Sequence, residues 1–370
     1  MALPSRQSGL ARRAALLVAM VAFGVVAAVV ARFDASSGEM QLVERLSWIT
    51  SLKVDYHVGV DGMSVMLLVL TALLVPMAMV ASWGTSDRVP LFFGLMLVLE
   101  AGLFGTFTAL NFFHWFLYWE LSLVPAFFLV RLWGGPLRVQ AATQFFLYTM
   151  GGSVALLLAF LALFLCTGTF SFVELAEMAK GQQLTQVISD NLGWRDLTTQ
   201  NVTLVIFGLA FVGFAVKVPL FPLHTWLPMT YAEAPTGVTM VLTGLMSKMG
   251  VYGFIRILLP IFPIQMHWVL KPLIGLAILS IVLSAAAAWA QRDIKRLLAY
   301  SSINHLGYCL LAVFALATAA PAQSGGLEKV TAMNGVLLQM FNHGLTAAVL
   351  FWMAGMLQER QQQLLSLRSD

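Results

Sequence analysis

The chain has 370 residues, of which 59% are hydrophobic and only 10% charged, with a formal net charge of +4. A soluble globular chain is about half apolar and about a quarter charged, so this composition excludes a soluble domain and implies a polytopic membrane protein. The basic residues are spread between apolar runs rather than gathered in a patch, which excludes nucleic acid as a partner and leaves the lipid bilayer.

A helix needs roughly 20 apolar residues to cross the hydrocarbon. Ten segments qualify: 14–32, 62–83, 90–109, 112–131, 141–166, 201–221, 236–257, 269–290, 297–318 and 331–357. The expected fold is therefore an all-α bundle of about ten spanning helices forming one transmembrane domain over 1–370, with no alternating barrel strands. The first segment, behind "RQSGLARR", has too long an apolar run and no small-residue cleavage site for a signal peptide. In "DYHVGVDGMS", His57 and Asp61 are expected at an interface in structural roles, with Asp61 capping the second span. The longest polar interruption, 171–198, contains "FVELAEMA", whose spacing predicts a short surface helix. Cys166 and Cys309 lie in apolar runs far apart, so they form neither a disulfide framework nor a metal set. With a cytoplasmic amino terminus, Arg6, Arg12, Arg13, Arg88, Arg131, Arg138, Arg292, Lys295, Arg296, Arg360 and Arg368 fall inside. Arg32, Arg45, Lys53, Lys180, Arg195, Lys271 and Lys329 fall outside, in longer loops whose charges weigh less.

Charge within a span costs about 2.5–3.5 kcal/mol at the helix centre on insertion scales, so each such residue is a functional candidate. Glu100, Glu120, Lys217 and Lys248 stand out, two carboxylates and two ammoniums that can pair. Lys217 opens the stretch "KVPLFPLHTWLP", where Pro219 and Pro222 lack N–H groups and should break the helix, leaving the carbonyls of Ala215 and Val218 without helical partners. His224 lies seven residues on, two turns if the helix continues. Burial disfavours a charged lysine and a carboxylate such as Glu120 favours it, so a change in their separation would load or release a proton. A static ion pair holding two helices together is the alternative reading of the same residues. His305 and His343 lie in neighbouring apolar segments, and Tyr300, Asn304, Tyr308 and Asn342 nearby in sequence point to a hydrated path. No Gly-rich phosphate loop, Cys cluster or haem-ligand pair is present, so redox chemistry is not expected in this chain.

Five stretches occur in order: "LYWELSLVPAFFLVRLWGG", "FAVKVPLFPLHTWLP" followed by "EAPT", "SKMGVYGFIRI", "RDIKRLLAYSSINHLGY" and "QMFNHGLTAAVLFWMAGMLQER". From about residue 40 onward the chain resembles the antiporter-like membrane subunits of respiratory complex I, the NADH:quinone oxidoreductase. The resemblance implies a proton-translocating membrane-arm subunit of a bacterial inner membrane, driven by electron transfer from NADH to quinone elsewhere. FMN, the iron–sulfur clusters and quinone are then expected in partner subunits, with no cofactor in this chain. By motif, Glu120 matches the family's carboxylate, Lys217 the lysine at the helix break, Lys248 the connecting lysine, and His305 and His343 the central axis. Glu100, His224 and Tyr300 are auxiliary candidates. A first half-channel is expected over 89–257 and an incomplete second one over 269–357.

Two departures stand out. Where the family reads "WLPDAH" this chain has "WLPMTY", so Met229 and Tyr231 replace an acid and a histidine. Against the family's fourteen helices the chain reads as the second to the eleventh, which implies a fragment of a longer subunit or a short chain completed by a partner. The same motifs resemble multisubunit cation/proton antiporters and a membrane-bound hydrogenase complex, and a purely structural membrane-arm subunit is a further alternative.

Overall fold

The computed structural model describes residues 5–52, 54–192, 199–317 and 326–369; Lys53 and Arg195, assigned above to the outer loops, lie outside the described residues. Each of the ten expected segments is helical. In chain order they are α1 (Ser5–Arg32), α2 (Gly62–Ala81), α3 (Val89–Thr108), α4 (Phe112–Trp133), α5 (Arg138–Thr167), α8 (Thr199–Lys217), α10 (Thr236–Ile261), α12 (Leu270–Trp289), α13 (Ile294–Leu316) and α14 (Gly326–Ser369). Among the described residues nine are long and apolar enough to cross a membrane, and the apolar part of α8, Asn201–Lys217, is shorter because the chain breaks there. Side-chain caps fix several starts. Asp61 accepts from the Ser64 N–H at 3.0 Å and Asp293 from that of Arg296 at 2.8 Å, each serving a donor that a helix start leaves free.

The short helices lie at the bundle ends and at the break: α6 (Phe172–Lys180), α7 (Gln183–Leu192), α9 (Trp226–Glu233) and α11 (Pro263–Trp268). The first of these is the surface helix expected from "FVELAEMA", capped by Ser171. One feature was not expected. Strands β1 (Gln41–Ile49) and β2 (Val54–Val60) form an antiparallel hairpin before α2, with Leu46 opposite Tyr56 and Arg45 opposite His57. Strand β1 is exposed along nearly its whole length, so no alternation of apolar and polar residues announces it.

Helix α10 is the axis of the bundle, buried along its central stretch and packed by α2, α3, α8, α13 and α14. It approaches α14 closely through two glycines. A Cβ on Gly244 would stand 3.3 Å from the Gly344 carbonyl oxygen and one on Gly344 would stand 3.0 Å from that of Gly244, so a side chain at either position would push the two backbones apart by a few tenths of an ångström. Two stretches of α10, Leu242–Met246 and Phe254–Leu258, are wound as π-helix, on either side of Lys248. The two cysteines are buried and free, as expected from their apolar surroundings.

Candidate proton-relay site

Helix α8 stops at Lys217, and residues 218–225 run as irregular turns before α9 resumes at Trp226. The backbone groups released by the break find partners. Leu220 N–H donates to the Ala215 carbonyl at 2.9 Å, so that carbonyl is satisfied five residues on, contrary to the expectation that Pro219 would strand it. The Trp226 indole N–H donates to the Val216 carbonyl at 3.0 Å, and the Phe221 N–H donates to Ser280 Oγ on α12 at 2.7 Å. These bonds let irregular backbone persist in apolar surroundings, where residues 218–220 are buried in protein. Gly250 on α10 leaves room for the break: a Cβ there would meet Val218 Cγ2 at 2.5 Å and the Val218 nitrogen at 3.0 Å.

Lys217 is buried, and its Nζ sits 4.8 Å from the centre of the Trp119 ring. Glu120 is the carboxylate whose charge acts on it, yet the two form no ion pair within 4.0 Å. Lys217 Nζ and Glu120 Oε1 are both buried without a hydrogen-bond partner. The static pair is therefore not what this geometry presents; the ammonium rests on an aromatic face while the carboxylate stays apart. His224 does not lie two helical turns beyond Lys217, since the helix ends there. Its ring packs 5.6 Å from that of Phe221, and its Nδ1 is buried without a partner.

The second lysine is fully connected. In the first π stretch the Ser247 N–H reaches back five residues to the Leu242 carbonyl, which frees the Thr243 carbonyl to accept from Lys248 Nζ at 2.5 Å. Lys248 Nζ also lies 2.7 Å from His343 Nδ1 on α14. The rings of His343 and His305 are 5.1 Å apart, and His305 Nδ1 meets Gln339 Nε2 at 2.9 Å. Beyond His305 a cavity of about 430 Å³ opens between α13 and α14, lined also by Tyr308, Cys309 and Gln339. Lys248, His343 and His305 thus lie in one row, hydrogen-bonded at the first link and in ring contact at the second.

Other candidates stand apart from this row. Tyr300 is half-buried against the apolar core, Asn304 donates to the Ile281 carbonyl at 2.7 Å, and Asn342 is exposed. Glu100 is buried on α3 with Oε1 unpartnered, and it pairs with neither lysine. Tyr231 is buried and donates to the Leu242 carbonyl at 3.0 Å, bracing the π stretch, while Met229 is half-buried beside it in sequence. The residue that sequence reasoning passed over is Arg256 on α10, which makes an ion pair with Asp61 at 2.5 Å and lies 5.6 Å from the Tyr252 ring. A charge inside the apolar segment 236–257 is the signal that marks it. Burial works to raise the Asp61 carboxyl, but Arg256 and the Ser64 N–H outweigh it and leave the group below the ordinary carboxylate range. His57 is buried in the hairpin, and burial together with Arg45 holds its imidazole below the usual histidine range.

A family profile described as "NADH:quinone oxidoreductase/Mrp antiporter, TM" matches residues 109–369. The chain is 38% identical over 367 residues to NAD(P)H-quinone oxidoreductase chain 4 2 of Thermosynechococcus vestitus, covering 98% of this chain and 63% of that protein. It is 37% identical over 350 residues to NADH-quinone oxidoreductase subunit M of Rhodobacter capsulatus, covering 95% of this chain and 65% of that one. The chain thus spans less than two thirds of the length of these curated relatives. Among solved structures, a chain of respiratory complex I from Thermus thermophilus with bound NADH superposes with a TM-score of 0.77 at 28% identity, over 94% of this chain and 67% of that one. A chain of the Mrp complex from a Dietzia species shares the fold, with a TM-score of 0.73 at 24% identity, over 93% of this chain and 34% of that one. On these matches the multi-pass helical chain belongs to the NADH:quinone oxidoreductase/Mrp antiporter transmembrane family.

Proposed function

We propose that this chain is a proton-translocating membrane-arm subunit of NADH:quinone oxidoreductase, a translocase component driven by electron transfer from NADH to quinone in partner subunits. FMN, iron–sulfur clusters and quinone belong to those partners in this reading. The observation that carries it is the buried row of Lys248, His343 and His305, joined at its first link by a 2.7 Å hydrogen bond. A charged Lys248 donates to a neutral His343 across that link; with the proton transferred, a neutral amine accepts from an imidazolium. One contact therefore serves both protonation states without rearrangement.

Lys217 and Glu120 supply the variable charge in this reading. Drawing Glu120 toward Lys217 stabilises the ammonium, and separating them releases its proton toward Lys248. The first half-channel then occupies 89–257, and 269–357 supplies an incomplete second one. The chain sits in a bacterial inner membrane with the end bearing Arg88, Arg138 and Arg292 in the cytoplasm.

Acidification of inverted vesicles on addition of NADH tests this reading. Glu120→Gln and Lys217→Ala should each lower translocation by about tenfold or more while the complex still assembles. Undiminished acidification in assembled complex would make the chain a brace. Sodium-dependent antiport in vesicles without NADH oxidation would move it to the antiporter branch of its family.

A further inference from the structure

Two consecutive residues of α4 offer Lys217 two different neighbours. Its Nζ lies 4.8 Å from the centre of the Trp119 ring, while Glu120 forms no ion pair with it within 4.0 Å. Successive side chains on a helix point about 100° apart, so an ammonium seated on the ring must swing to meet the carboxylate. The ring itself is fixed. Its indole N–H donates to Ser153 Oγ on α5 at 3.0 Å, the Trp115 ring lies 4.7 Å away, and the ring of Phe214, three residues before Lys217 on α8, meets it edge-on at 5.9 Å. Trp119, Ser153 and Lys217 are 1%, 2% and 3% exposed. The contact is thus shielded from bulk solvent, where a cation on an aromatic face gains most.

The two neighbours differ in what they do with a proton. A carboxylate accepts one, whereas an indole face attracts positive charge and has no lone pair that could take the proton from it. Lys217 Nζ has no hydrogen-bond partner, so the ring supplies the attraction that its charge receives in this position. A neutral amine would gain little there. The ring therefore favours the protonated side chain without competing for its proton.

We propose that Trp119 is a member of the relay, a station that keeps the proton on Lys217 between separation from Glu120 and delivery toward Lys248, and that Ser153 is the positioning residue that fixes its indole face. The inference rests on Lys217 as a proton carrier. No bond forms or breaks at the ring; the proton stays on Nζ until the side chain leaves the ring for an acceptor.

Site-specific incorporation of mono-, di- and trifluorotryptophan at position 119 tests this, because fluorine withdraws charge from the ring face in steps and leaves its shape nearly unchanged. In assembled complex in inverted vesicles, protons moved per NADH oxidised should fall with each fluorine while the melting temperature holds. Trp119→Phe should keep part of the yield, and Trp119→Leu should lose about tenfold or more, the scale of a desolvated cation on an indole face. Ser153→Ala should lose about twofold to fivefold, the scale of one hydrogen bond. An unchanged yield across the fluorine series, with Lys217→Ala inactive, would overturn the inference and reduce Trp119 to packing while the proposed function stands. An unchanged yield in Ser153→Ala would overturn the role of Ser153. Full translocation by Lys217→Ala would remove the carrier, and with it both the station and the proposed use of Lys217.

Discussion

Lys248 is fully buried, and its charge is tolerated because three acceptors surround it: the Thr243 carbonyl, Ser247 Oγ and His343 Nδ1. Truncating the histidine removes one of them and leaves an ammonium short of partners, which costs about 1–3 kcal/mol. His343→Ala should therefore lower both the melting temperature and proton translocation. His343→Asn separates the two roles, because an amide oxygen accepts from Lys248 but cannot carry a proton near neutral pH. In the relay reading, His343→Asn melts near the wild type yet translocates poorly; full translocation by this variant would remove His343 from the path. The burial of these residues was legible in the sequence, since a lysine or histidine in an apolar run stands out by its cost alone. Their partnership was not. Lys248 and His343 are 95 positions apart, and no local rule ties them. The separation of Glu120 from Lys217 was equally hidden, because residue types show that two charges can pair without showing that the ammonium rests on an aromatic face instead.

Spans are written in hydropathy over long windows, whereas the features that shape the site occupy single turns. The π stretches of α10 carry no composition of their own; they arise where packing lets the helix absorb an extra residue, and one of them frees the carbonyl that receives Lys248. Hairpin β1–β2 escaped notice because β1 is exposed on both faces. The helix break was legible from its prolines, but its contact with Gly250 was not. Gly250→Ala should push Val218 from α10, destabilise the chain by about 1–3 kcal/mol and impair translocation through Lys217. Gly275→Ala on α12, where a new Cβ meets nothing within 4 Å, is the matched control and should melt as the wild type does. The junction of hairpin and α2 depends on the Asp61–Arg256 pair, whose side chains are 24% and 14% exposed. Removing one partner of such a pair costs about 3–5 kcal/mol, so Asp61→Asn should lower the melting temperature at pH 7. The Asp61 carboxyl lies below its ordinary value of 3.8 in the folded chain. Its contribution is therefore complete above that value and lost as pH falls through the lower folded one. The gap in melting temperature between wild type and Asp61→Asn should hold from pH 7 to pH 5 and close below about 4; a gap that closes near pH 6 would point to a different group.

At the scale of the whole molecule the two ends of the bundle differ in charge and shape. One end gathers the loops after α2, α4, α9 and α12 with the far part of α14 around a cleft of about 920 Å³, bordered by Arg292, Lys295, Arg296, Glu233 and Glu359. Arg12 joins it by donating to the Thr85 carbonyl at 2.5 Å. The other end carries the hairpin, α6 and α7, where Arg45 is half-exposed and shared between Asp55 and Glu174. An exposed pair of that kind contributes under about 1 kcal/mol, so Arg45→Ala should leave the melting temperature nearly unchanged, in contrast to Asp61→Asn. Short basic loops stay on the cytoplasmic side during insertion, so the orientation proposed above puts the cleft in the cytoplasm and the hairpin on the outer face. The assignment is tested with a membrane-impermeant thiol reagent, using Ser36→Cys beside the hairpin and Gln358→Cys beside the cleft. Both positions are exposed, and the native Cys166 and Cys309 are buried. Intact cells should label Ser36→Cys and spare Gln358→Cys, with inverted vesicles giving the reverse. The opposite pattern would turn the molecule over, place the cleft on the outer face and reverse the direction of the relay proposed from Lys248 to His305.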